Sequence, residues 1–176
     1  MDTVTISKEK MEERLARFKT LKPSKQAFVD TRLPEHLRDI FNVIGPGVTE
    51  DPELKPAISD PQGFNITYVG AEPGKGAALH SHPTVEVFIP MSGRWSVYWG
   101  DDGENEFILE PFDVISVPVG VMRGFRNVGE EPGYLMAILG GTDAGKVSWS
   151  PSVLNRAQET GLSLDESGNL VVDSAQ

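Results

Sequence analysis

The chain contains three histidines, and two of them stand one residue apart in "GKGAALHSHPTVEVFIPMSG", residues 74–93. Successive side chains of an extended segment alternate faces, so His80 and His82 point the same way. Glu86, Phe88 and Pro90 share that parity across a corner near Pro83, while Leu79, Val85, Val87 and Ile89 take the other face. Two imidazoles and a carboxylate are thereby gathered among apolar residues. Buried polar groups need a partner that replaces lost hydration, and a divalent metal supplies one for all three at once. Two histidines and one carboxylate with open coordination positions form the facial triad that suits Fe(II) and related ions. The plain alternative is a pair of surface histidines on an edge strand. A glutamate four residues on, between a glycine loop and a turn glycine, favours the metal reading.

The elements that must position these residues are short. From Phe64 onward the runs "FNITYVGA", "VEVFIPM", "RWSVYWG", "EFILE", "DVISVP", "GFRNVG" and "GYLMAILG" are rich in β-branched and aromatic residues. Gly, Pro, Asp and Asn separate them, a pattern that predicts an antiparallel sandwich or barrel. Upstream, "SKEKMEERLARFKTL" predicts a helix capped by Ser7, with Met11, Leu15 and Phe18 at helical spacing. His36, in "LPEHLRDIF", falls on a short helix. In "SPSVLNRAQETG", Ser150 is the N-cap, Pro151 the first helical residue and Gly161 the stop. "LSLDESGNLVV" then reads as a hairpin around Ser-Gly-Asn. The expected organisation is a helical or irregular extension over 1–39, a β-barrel over 40–147, and a C-terminal helix and hairpin over 148–176 packed on the barrel.

Composition removes several classes of partner. Sixteen basic residues against twenty-six acidic ones leave a net charge of −10, which repels nucleic acid and anionic lipid. Neither is an expected partner. The chain has no cysteine, which excludes disulfide and thiolate chemistry. The N-terminal stretch lacks an apolar core of signal-peptide length, and no segment approaches the roughly 20 apolar residues of a membrane span. The cytoplasm is the expected location.

Taken with their intervals, these residues resemble the cupin superfamily. Its first motif is Gly, five residues, His-x-His, three or four residues, Glu, six residues, Gly, matched by Gly74, His80, His82, Glu86 and Gly93. Its second is Gly, five residues, Pro-x-Gly, two residues, His, three residues, Asn. "FDVISVPVGVMRGFRN" matches it at Pro118, Gly120 and Asn127. The resemblance implies an all-β, antiparallel double-stranded β-helix, or jelly roll, with short helices at both ends. It also implies a homodimer and a divalent transition metal (Fe, Mn, Ni or Zn) on His80, His82 and Glu86. Cupins of this size include dioxygenases, isomerases and lyases acting on small oxygenated molecules.

Two departures stand out. Phe112 replaces the second motif's glycine, and Arg123 replaces its metal-binding histidine. Arginine stays charged and offers no lone pair. By parity with Phe125 and Asn127, Arg123 points into the cavity of the two histidines. It could pair with an anionic substrate beside a three-ligand metal, pair with Glu86 in a metal-free site, or swing outward. The expected roles are Arg123 and Glu86 in catalysis and Arg123, Phe88 and Phe125 in substrate binding. The expected function is a dioxygenase-like enzyme acting on a small anionic molecule. The rival is a non-catalytic or metal-free cupin that binds a small ligand.

Overall fold

The computed structural model describes residues 3–173. Helix α1 (Lys8–Glu12) starts at Ser7, whose hydroxyl accepts from the Lys10 amide. It is shorter than the sequence predicts. Met11, Leu15 and Phe18 remain largely exposed, so no buried stripe sustains further turns. Phe18 instead lies in a 3-10 turn (Phe18–Thr20) and meets Tyr134 edge-on. The following segment burrows: Ala27, Phe28, Val29, Asp30 and Thr31 are all buried. Two 3-10 turns, Val29–Arg32 and Pro34–His36, close it, with His36 in a short helix as expected.

The strands then follow in order: β1 (Asp39–Ile44), β2 (Phe64–Ala71), β3 (Gly76–Ser81), β4 (Glu86–Ser92), β5 (Trp95–Trp99) and β6 (Asn105–Leu109). After them come β7 (Ile115–Val117), β8 (Arg123–Asn127), β9 (Gly133–Gly140) and β10 (Ser148–Trp149). They form two five-stranded antiparallel sheets, β1-β2-β9-β4-β7 and β10-β3-β8-β5-β6. Burial alternates along β2 and β9, as strands with one inward face require. Val69, Leu135 and Leu139 from the first sheet join Trp95, Val97 and Phe125 from the second in one apolar core. The fold is an all-β jelly roll, a double-stranded β-helix.

Two turns between strands hold left-handed backbone. Gly93, at φ 75°, links β4 to β5. Phe112 has φ 74°, a left-handed conformation that disfavours any residue with a Cβ. Its side chain is 79% exposed, so no packing offsets the strain.

The tail reaches back to the barrel. β10 pairs with β3, placing Trp149 across from His80. Helix α2 (Pro151–Glu159) follows, with Ser150 at its N-cap, although that hydroxyl makes no capping bond. Val153 and Ala157 are its buried face. The hairpin of β11 (Leu162–Leu164) and β12 (Leu170–Val172) forms where the sequence predicts it. Among the described residues no helix is long and apolar enough to cross a membrane.

Candidate metal centre

The site spans both sheets. His80 lies near the end of β3, His82 just beyond it, and Glu86 opens β4 of the opposite sheet. Arg123 opens β8 and stands in register with His80. All four side chains are buried. One ligand atom from each of His80, His82 and Glu86 lies within 4.8 Å of the others.

Hydrogen bonds fix how each imidazole presents itself. Nδ1 of His80 is 2.7 Å from the Ala78 carbonyl. A carbonyl only accepts, so Nδ1 carries the proton and Nε2 the lone pair. The Thr84 hydroxyl donates to the Ala144 carbonyl at 3.2 Å, and so accepts from Nδ1 of His82 at 3.1 Å. His82 therefore also keeps its lone pair on Nε2. Burial, with the Arg123 charge second, pushes His80 down to about 3; the ring is neutral at ordinary pH. Burial pushes the Glu86 carboxyl up, but its contact with His82 and the charge of Arg123 outweigh that and hold it below the usual range. Arg123 is the fixed cation beside Glu86, its Nη2 2.8 Å from Oε2.

Arg123 is 1% exposed and pairs inward. Nε and Nη2 donate to Oε2 of Glu86 at 3.0 and 2.8 Å. Nη1 donates to the carbonyls of His80 and Val121 at 3.3 and 3.2 Å. Nη2 also meets Nε2 of His82. A guanidinium has five N–H donors, and here each has an acceptor within the chain.

The trio fits a divalent ion in donor type, number and tautomer, with Nδ1 of each histidine held by an acceptor as metal-bound imidazoles require. Two of its three donor residues are engaged by Arg123: an ion must displace the guanidinium from the single lone pair of His82, and on Glu86 it meets either the remaining Oε1 or an Oε2 that already accepts from Arg123. Beside the trio lies a cavity of about 30 Å³ whose walls include His80, Glu86, Phe125 and Trp149, room for a water or two. Phe125 lines this cavity. Phe88 does not line the cavity: it is buried against Phe125, ring centroids 5.3 Å apart. A larger groove of about 290 Å³, near Lys25, Glu72 and Tyr134, contains none of the trio.

Supporting residues came from distant segments that sequence patterns did not single out. Trp149 lies 5.2 Å from the His80 ring and donates its indole N–H to Oε1 of buried Glu50 at 2.6 Å. Oε2 of Glu50 accepts from the Val29 amide at 2.6 Å. Asp30 pairs with Arg38 through both carboxylate oxygens, at 2.9 and 3.0 Å, and accepts from the Ala78 amide at 3.0 Å. Ala78 in turn orients His80. Among them only Asp30 carried a local signal, an acidic residue directly after the apolar run Ala27–Val29.

Residues 67–139 match the family model described as a cupin domain. The barrel is a cupin domain. A curated relative, germin-like protein subfamily 1 member 4 of Arabidopsis thaliana, is 27% identical over 114 residues, covering 60% of this chain and 51% of that protein. The chain therefore spans about half the length of that relative. Among solved structures, the cupin 2 domain-containing protein of Halorhodospira halophila superposes with a TM-score of 0.52 at 19% identity, covering 68% of this chain and 75% of that one. An oxalate decarboxylase of Lactobacillus farciminis, solved as a formate complex, gives 0.54 at 18%, covering 78% and 36%. At these identities the likeness is one of fold. In the cupin frame the motif's asparagine is structural. Asn127 donates to the carbonyls of Ala71 and Glu131, both at 2.9 Å, and accepts from the Gly129 amide.

Proposed function

We propose that this cupin is a metal-dependent enzyme of dioxygenase type acting on a small, oxygenated, anionic molecule, with His80, His82 and Glu86 as the metal's ligands. The observation that carries the proposal is the convergence of two Nε2 lone pairs and one carboxylate in a buried site. A bound divalent ion would supply Lewis acidity and open positions for substrate and O₂. Ala78 and Thr84 hold the imidazole protons on Nδ1, and Arg123 orients the substrate's negative group by a two-point contact. Phe125 and Trp149 exclude water from the reacting space. The formate complex of the decarboxylase, a protein of similar fold, supports a small carboxylate as the ligand class.

A second reading, a metal-free cupin that binds a small ligand, is favoured by one observation: every Arg123 donor is satisfied without a metal. Oxygen consumption separates the two. Protein incubated with Fe(II) and a panel of small hydroxy and keto acids should consume O₂ with at least one acid, and His82→Ala should not. Binding of an acid by metal-free protein, with no O₂ consumed by the Fe(II)-treated protein, favours the second reading.

A further inference from the structure

We propose that Arg123 makes metal binding and small-carboxylate binding mutually dependent: it is a resident cation on Glu86 and His82, and a metal gains those donors as a carboxylate takes the guanidinium over. This rests on the metal reading above. Its basis is how the five donors are divided. Nη1 is anchored to the backbone carbonyls of His80 and Val121. The opposite edge, Nε and Nη2, holds Glu86 Oε2 and His82 Nε2. A lone pair cannot serve an N–H and a metal together. An ion on His82 Nε2 would therefore strip Nη2 of its nitrogen acceptor, and an ion on Glu86 Oε2 would weaken the bonds that Nε and Nη2 make there, while Nη1 remained anchored. A buried guanidinium stripped this way is strongly disfavoured, and a neighbouring dication repels it.

The edge released is the fork that receives a carboxylate at two points. Glu86 fills that role internally until a ligand's carboxylate replaces it. The cavity beside Glu86, about 30 Å³, admits little more than a carboxylate group. Ion and anion together then preserve what either alone would break, and the coupling is reciprocal.

Formate, a carboxylate with no bulk, is the probe. Mn(II) is titrated calorimetrically into metal-free, full-length protein in sodium chloride and in sodium formate at equal ionic strength. Mn(II) should bind at least about 10-fold tighter in formate, within the usual range of coupling between sites. Formate should bind tighter by the same factor when Mn(II) is present. In Arg123→Ala, Mn(II) should bind tightly in chloride, and the formate effect should fall to a ratio near one. Equal Mn(II) affinity of the wild type in the two salts overturns the coupling and leaves the metal centre standing. Mn(II) binding by Arg123→Ala but not by the wild type in either salt also overturns it, because formate then fails to move the guanidinium. No binding by either protein in either salt rejects the metal reading itself. The two wild-type titrations decide the coupling even where Arg123→Ala does not fold.

Discussion

Nε and Nη2 of Arg123 converge on a single oxygen of Glu86, at 3.0 and 2.8 Å, inside the barrel. Removing one partner from a buried ion pair leaves the other charge uncompensated. In metal-free protein, Glu86→Ala and Arg123→Ala should each destabilise by about 3–5 kcal/mol. The double variant should lose much less than the sum. Urea denaturation in the presence of a chelator, analysed as a double-mutant cycle, measures the difference; additive losses would mean that the pair is not coupled.

Glu50 is expected to make stability fall as pH rises. Burial pushes its carboxyl up to about 7 from 4.5; the bonds from Trp149 and Val29 pull it down only in part, and Asp30 pushes it further up. A proton is thus held more tightly in the folded state. The stabilisation is complete below about pH 4.5 and is lost as pH rises through about 7, amounting to about 3 kcal/mol. His80 works the other way. Its folded value of about 3 lies below 6.5, so its contribution is present above 6.5 and lost on acidification. Subtracting the unfolding free energy of Glu50→Gln from that of the wild type isolates Glu50. The wild type's relative advantage should shrink between pH 4.5 and 7.5, and a pH-independent difference would refute the assignment.

Phe112 holds a left-handed φ of 74° with an exposed ring, at the position where the cupin motif has glycine. Phe112→Gly should raise stability by about 1 kcal/mol: relief of the left-handed strain, partly offset by the greater freedom of glycine in the unfolded chain. Thermal denaturation of the two proteins checks it, and a lower melting temperature for the glycine variant would contradict it.

What the sequence revealed and what it hid follow from range. The parity of His80, His82 and Glu86 is a local property of extended backbone, and the structure keeps all three on the inner side. The inward direction of Arg123 was legible for the same reason. Its choice among metal-bound substrate, Glu86 and solvent was not, because that depends on the spacing between two sheets. Phe88 has the inward parity too, but it packs against Phe125 and does not line the cavity. Glu50, Asp30 and Trp149 were invisible because each acts through a contact with a distant segment, 99 residues apart in the case of Glu50 and Trp149. The N-terminal helix was overestimated because spacing alone cannot tell whether a stripe has anything to pack against.

The most direct measurement is metal stoichiometry. Metal-free protein is dialysed without oxygen against Fe(II), Mn(II), Ni(II) or Zn(II) in formate buffer, and the retained ion is quantified by plasma mass spectrometry. Wild-type protein should retain about one ion per chain of at least one of these metals, as a three-donor site implies, and His82→Ala should retain almost none. Wild-type protein that remains empty with all four ions would contradict the metal centre.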